Sequence, residues 1–208
     1  MTTDTQIPLP AEAPIMVLPG CVLFPGIMLP LRIFESRYRT MIEWALEHDR
    51  MFCIATMKPG IEEAETINQF HHVAGLGLIS ASKTQSDGTS NLLLQGCGRI
   101  RFTDFVQLEP FRIARLEPIP SILGDAGTNE IIALELRGLC TRLCASHESA
   151  EDFEENLSKI GDLALLADFV ASTFIRDAGQ RQRLLEEPHV TTRLDSLTAC
   201  LRQELDPS

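Results

Sequence analysis

With 208 residues, 44% of them hydrophobic and 23% charged, the chain is long enough to bury a sizeable core and ordinary enough in usage to be globular, which sets aside a disordered chain or a membrane bundle. The net charge of −11 is uneven: residues 1–120 carry 10 Lys and Arg against 13 Asp and Glu, while residues 121–208 carry 8 against 16. That field repels phosphate backbones and anionic lipid, so a nucleic-acid partner is disfavoured and any basic face must lie in the first 120 residues.

Residues 1–13 read as a flexible tail. No Lys or Arg precedes Arg32, so the charged start of a signal peptide is missing; six cysteines without framework spacing read as reduced thiols, and a cytoplasmic location is expected. Ala13 to Leu31 is free of charge for 19 residues, the length of a membrane helix, but Pro14, Pro19, Pro25, Pro30, Gly20 and Gly26 interrupt it. Each interior proline costs a helix roughly 3 kcal/mol and frees a carbonyl that lipid cannot satisfy. The stretch therefore reads as extended chain broken by turns: Ile15–Leu18, a turn at Pro19-Gly20, Cys21–Phe24, a turn at Pro25-Gly26, then a strand from Ile27 to Phe34. Proline confines such strands to edges, first positions or bulges.

After Phe34 the period becomes helical, with Phe34, Tyr38, Met41, Ile42 and Ala45 on one face, which predicts a helix over 35–48 packed on a sheet. Phe52–Met57 reads as a strand and 61–70 as an acidic loop. Val73–Lys83 and Thr89–Phe105 flank the hairpin dipeptide Asp87-Gly88. In the second of these, Leu92, Leu94, Gly96, Gly98, Ile100 and Phe102 share one face; Gln95, Arg99 and Arg101 share the other. Phe111–Leu116 is the last strand, and Glu117–Gly127 has linker composition. Helices follow: 131–147; a segment whose core stripe runs from Ile160 through Leu163, Ala167, Val170 and Ala171 to Phe174; a short one from Asp177 to before Pro188; and a last one opened by Thr192 and Asp195.

Chemistry is sparse. The three lysines, Lys58, Lys83 and Lys159, do not follow glycines, which excludes a phosphate-binding Gly-Lys-Ser/Thr loop. Ser82-Lys83 and Ser158-Lys159 are the only local Ser–Lys pairs, and neither sits in a protease context. Cys140, Cys144 and His147 fall at i, i+4 and i+7, a spacing that suits zinc if Cys53, His71 or His72 adds a fourth ligand; as a stripe with Leu136, Leu139 and Leu143 it is ordinary core. A hydrolase using Cys144 and His147 is the enzymatic alternative. His71 and His72 are adjacent and point apart on a strand, and the acid run from Glu148 to Glu155 lacks a calcium loop. No cofactor is indicated. Arg32, Arg37 and Arg39 surround Glu35, with Arg99 and Arg101 on the polar face of the long strand. These six are a candidate surface, serving either as structural ion pairs or as a groove for peptide carbonyls and carboxylates.

The segments "LPGCVLFPGIMLPLRIFESRYRTMI", "VAGLGLI" and "LLLQGCGRIRFTDF" together resemble the N-terminal substrate-recognition domain of Lon proteases, and "LLEEPHVTTRLDSLTACLRQEL" is similar to the helical end of that region. Phe24, Pro25, Gly26, Pro30, Phe34 and Tyr38 carry the most specific part, which looks most like free-standing bacterial versions. The resemblance implies an α+β fold: a PUA-like β pseudo-barrel with a packed helix over 14–120, then a helical bundle over 121–208. In full-length Lon this region helps capture polypeptides and assemble the enzyme, while an ATPase and a Ser–Lys protease act elsewhere. Neither is visible before Ser208, so the expectation is a non-catalytic polypeptide-binding or adaptor protein for protein quality control. Its partners would be unfolded or extended polypeptides, with a separate Lon protease as a further candidate and a weak homo-oligomer allowed. The alternative is an RNA-binding PUA-like protein using Arg99, Arg101, Arg112 and Arg115.

Overall fold

The computed structural model describes residues 8–145 and 150–206. The chain divides into two compact units, Met1–Ile119 and Pro120–Ser208.

The first unit holds β1 (Glu12–Leu18), β2 (Met28–Ile33), α1 (Ser36–Glu47), β3 (Met51–Thr56), a single 3-10 turn (Ile67–Gln69), β4 (Val73–Thr84), β5 (Ser90–Gln107) and β6 (Arg112–Pro118). The strands lie in the order β2-β5-β4-β3-β1-β6, and β6 pairs again with β5. The sheet thus closes on itself as a ring of β1, β3, β4, β5 and β6, with β2 laid outside the ring on the first half of β5, from Met28 opposite Gln95 to Ile33 opposite Ser90. Only β1 and β3 run parallel, Ile15 opposite Cys53, as a crossover containing a helix requires.

Two apolar clusters fill the unit. Ile15, Val17, Met51, Cys53, Ala55, Leu76, Ile100 and Phe102 belong to one; Met16, Phe52, Ile54, Ile79, Leu94 and the apolar face of α1 belong to the other. Odd and even residues of β1 and β3 therefore serve different clusters, so both strands read as unbroken apolar runs. Tyr38, Met41, Ile42 and Ala45 are the buried face of α1. The Tyr38 hydroxyl donates to the Val17 carbonyl at 2.9 Å and accepts from the Val17 N–H at 3.1 Å. Val17 lies beyond the last β1–β6 residue pair, Ile15 with Arg112, and the phenol occupies the place a neighbouring strand would take.

The last residues of the expected 13-residue tail belong to the sheet unit: Glu12 opens β1, the Ala11 carbonyl accepts from Leu116 N–H, and Leu9 packs on the core. Cys21–Phe24, expected as a strand, joins no ladder; it crosses the sheet instead.

The second unit holds α2 (Ala126–Cys144), α3 (Ala150–Lys159), α4 (Leu163–Phe174), α5 (Ala178–Glu186) and α6 (Val190–Leu205). Aspartates begin three of them: Asp125 accepts from Thr128 N–H, Asp162 from Ala164 and Leu165 N–H, and Asp177 from Gln180 N–H. The Asp125 cap starts α2 five residues before the expected 131. Gly161 and the Asp162 cap end the stripe expected from Ile160, leaving that residue outside α4, and the acidic run contributes to α3. The last helix starts at Val190, two residues before Thr192. Within this core Arg193 and Asp168, both about 1% exposed, form an ion pair at 2.6 Å, and Arg193 also donates to the Ser121 hydroxyl at 2.9 Å.

Candidate functional site

The segment between β1 and β2 shapes the outer sheet. Leu23 and Phe24 are buried, and they pass so close over β4 and β5 that side chains are excluded beneath them. A Cβ at Gly75 would stand 2.0 Å from the Leu23 carbonyl oxygen, one at Gly96 2.0 Å from that of Phe24, and one at Gly77 2.5 Å from Leu94 Cγ. Gly96 completes the seat, its N–H donating to the Ile27 carbonyl at 2.9 Å and its carbonyl accepting from Gly26 N–H at 2.8 Å. Gly26 turns the chain at φ 76°, where glycine is favoured. Sequence reasoning placed these glycines on the right strands without assigning them this role. The available signal was their alternate spacing inside apolar strands, "AGLGL" and "QGCG", a mark of close backbone approach.

The strap delivers the chain into β2, which among the described residues pairs with β5 alone and so keeps one edge open. Leu29, Leu31 and Ile33 turn to the core, while Met28, Pro30 and Arg32 are exposed. Met28 is 42% and Phe34 65% exposed, at the two ends of the strand. Pro30 has no N–H to offer the open edge. The other free edge, the distal part of β4 from Ser80 to Thr84, is fully exposed and carries Ser80, Ser82, Lys83 and Thr84, the polar dress that discourages strand pairing.

The predicted ionic cluster is divided. Arg37 donates through Nε to Glu35 at 2.8 Å, reaches Glu63 at 3.4 Å and lies 4.8 Å from the Tyr38 ring centre. Arg39 leans on the β4–β5 turn, where a Cβ at Gly88 would fall 2.2 Å from its guanidinium. Arg32 is exposed near the same turn and helps hold the Asp87 carboxyl below its ordinary range, after the larger effect of hydrogen bonds from Thr89. Arg101 faces Glu117 across the ladder at 3.6 Å. Arg99 departs from the expected polar face: it is only 4% exposed, and the chain leaving β6 runs alongside, Ile119 N–H bonding to its carbonyl.

The arginines of the RNA alternative are engaged as well. Arg112 donates to the Ala64 and Glu65 carbonyls at 2.6 and 3.1 Å, and Arg115 pairs with Glu12 at 3.2 Å and Asp104 at 3.8 Å. Of the four, Arg99 is buried, while Arg101 and Arg115 are paired with carboxylates at exposed positions.

For the zinc and hydrolase alternatives, Cys140 is buried on α2 and its thiol is pushed up to about 12 by burial; Cys144 is partly exposed, and His147 lies outside the described residues. Cys53 is buried in the first unit. His72 bonds to the Ile67 carbonyl at 2.8 Å and packs among Phe70, Phe102 and Phe105. Among the described residues no group of three or more His, Cys, Asp or Glu is placed to hold a metal, and no helix is long and apolar enough to cross a membrane.

The family model for the ATP-dependent protease La (LON) substrate-binding domain matches residues 12–203, the ring and the helical unit together. The chain belongs to the Lon substrate-binding domain family. This Lon substrate-binding domain is 30% identical over 204 residues to Lon protease 2 of Herpetosiphon aurantiacus, covering 94% of this chain and 24% of that one. It is 28% identical to the Lon protease of Desulfosudis oleivorans, over 99% of this chain and 25% of that one. It thus spans about a quarter of the length of the curated relatives it matches. The N-terminal domain of the Mycobacterium avium complex Lon protease superposes with a TM-score of 0.75 at 16% identity, covering 92% of this chain and 98% of that one. A Lon N-terminal domain protein from Xanthomonas campestris gives 0.64 at 21% identity, covering 90% and 97%. At those identities the likeness establishes the Lon domain fold, and the roles of individual residues rest on their own geometry.

Proposed function

We propose that this domain is a non-catalytic, polypeptide-binding adaptor that takes an extended segment of an unfolded client as an added strand along β2. The observation that carries the reading is the open β2 edge with Met28 and Phe34 exposed at its ends. Strand addition draws affinity from main-chain hydrogen bonds, which any client sequence supplies, and selectivity from alternate side chains. Met28 and Phe34 offer apolar contact at the ends of the open edge, and Arg32 between them favours a client carboxylate. The family description, a substrate-binding domain, supports the same class of partner. In the adaptor reading the recipient of the client is a separate Lon protease in the same cytoplasm.

Fluorescence anisotropy with labelled, reduced and carboxymethylated α-lactalbumin, a permanently unfolded chain, tests this. Saturable binding is expected, weakened about tenfold or more by the double substitution Met28→Asp and Phe34→Asp, the scale of losing exposed apolar anchors. Absence of binding at high micromolar concentration, or equal binding by the variant, would sink the reading. A pull-down of Lon protease that depends on added client tests the adaptor part separately.

A further inference from the structure

Strand addition along β2, the reading on which this inference rests, fixes the backbone groups a client meets. The Gly96 N–H bonds to the Ile27 carbonyl, so the alternation of an antiparallel ladder turns the backbone of Leu29, Leu31 and Ile33 toward β5. That of Met28, Pro30 and Arg32 is turned toward the open edge. Met28 and Arg32 each offer a donor and an acceptor there, while Pro30 offers only its carbonyl. An added strand is thus gripped at two positions four residues apart, and its side chains opposite Met28 and Arg32 lie on the same exposed face as theirs.

The two ends of this edge differ in charge. Arg32 stands opposite Asn91, and Asn91 opposite Lys83, so three exposed side chains form one row across β2, β5 and β4, with the cationic residues about 10 Å apart. Arg39 of α1 reaches the same hairpin, lying against Gly88. At the other end the row of Met28, Gln95 and Leu78 is uncharged. Against the three cations, β2 and the hairpin from Leu78 to Gln95 hold one acidic residue, Asp87. Its carboxylate already accepts from the Thr89 N–H at 2.9 Å and the Thr89 hydroxyl at 2.8 Å. Among the described residues Arg32, Arg39 and Lys83 take part in no salt bridge, although the chain carries a net charge of −11.

We infer that β2 selects clients in which an acidic cluster precedes an apolar stretch, bound antiparallel with the acids beside Arg32, Arg39 and Lys83 and the apolar residues beside Met28. Antiparallel pairing is the more stable per residue, and it runs a client from the Arg32 end toward the Met28 end, which puts the acids first in sequence. A carboxylate directly across from Arg32 is a stabilising cross-strand pair. The ligand is a side-chain carboxylate, not a phosphate backbone: three cations on a strongly acidic chain attract locally, whereas a nucleic acid is held by many phosphate contacts.

Fluorescence anisotropy with three labelled peptides, their ends acetylated and amidated to remove terminal charge, tests the order and the charge together. One carries three glutamates followed by Val-Thr-Phe-Thr-Val; the second has the same blocks reversed; the third has glutamine for glutamate in the first. The first should bind about fivefold or more tighter than either of the others at low salt, the scale of a few exposed ion pairs. At about 1 M salt, where charges are screened within roughly 3 Å, the ratios should fall toward one. Arg39→Gln combined with Lys83→Gln should lower the preference for the first peptide about twofold or more. Equal binding of the three, tighter binding of the reversed peptide, or a preference that survives both high salt and the double variant overturns this inference and leaves strand addition standing; failure of all three to bind removes both. A single-stranded RNA oligonucleotide that displaces the first peptide at lower concentration than the unlabelled peptide does would make phosphate the ligand and likewise overturn it.

Discussion

Substituting Gly96 by alanine isolates the seat of the Leu23–Phe24 strap. A Cβ there would stand 2.0 Å from the Phe24 carbonyl oxygen, which is backbone and cannot rotate aside. The strap must lift, straining the bonds between Gly96 and residues Gly26 and Ile27 at 2.8 and 2.9 Å. Partial accommodation costs about 1–3 kcal/mol, the usual range for overpacking. Full displacement also exposes Leu23 and Phe24, each worth about 1.5–3 kcal/mol buried, so the loss should be about 3 kcal/mol or more. The control lies two residues along the same strand: a Cβ at Gly98 meets only Leu9 Cδ1, at an ordinary 3.5 Å. Gly98→Ala should be neutral or slightly stabilising, since alanine loses less freedom than glycine on folding. Urea denaturation followed through Trp44, the only tryptophan, reads the unit that contains both sites. If the two variants unfold within about 0.5 kcal/mol of each other, close to the error of such measurements, the seat does not constrain the fold and the argument fails.

Tyr38→Phe leaves the N–H and carbonyl of Val17 without their partner and should cost about 1–3 kcal/mol in the same assay. Burial raises the Tyr38 phenol above its ordinary 10.0, outweighing the lowering by Arg37, so its contribution is intact below pH 10 and is lost as pH climbs toward the raised folded value. As the only tyrosine, its tyrosinate absorbance should appear together with alkaline unfolding; ionisation in a still-folded chain would contradict this. Asp168→Ala strands the Arg193 charge in the helical core and should cost about 3–5 kcal/mol by thermal melting, whereas replacing both residues by Leu and Met should recover most of it. Native thiol labelling near pH 8, mapped by mass spectrometry, should modify Cys21, Cys97, Cys144 and Cys200 well before Cys53 and Cys140, which burial keeps protonated. Equal rates would show that those two sites open readily.

The α+β order of elements is legible because periodicity and turn residues are local signals. Alternation marked β5, Asp87-Gly88 marked its hairpin, and Tyr38 to Ala45 marked α1. What escaped depends on partners distant in sequence. The strap joins no ladder because glycines some fifty to seventy residues later make room for its backbone, and Arg112 is used by carbonyls of the 64–65 loop. Of the ionic cluster, Glu35 with Arg37 is readable from proximity, but Arg101 with Glu117 needs the β5–β6 register, and the burial of Arg99 carries no sequence mark. The edge position of β2 was anticipated from Pro30, since proline within a strand favours edges, first positions or bulges. The exposure of Ile131 and Leu134 carries no sequence mark either: both lie inside the helix expected from 131, and only the packing of the unit leaves them uncovered.

The ring of the first unit is closed by its two ends, with Glu12 of β1 bonded to Arg115 of β6, 103 residues apart. At about 5–20 residues synthesised per second, the edge of β1 waits roughly 5–20 s for its partner to leave the ribosome. Throughout that interval residues 12–15 lack the partners at 112–115 that later cover their outer edge, and bare strand backbone is the feature by which unfolded clients are recognised. A domain read as a receiver of unfinished chains thus begins its own life as one, and a cell starved of chaperones should lose this protein early.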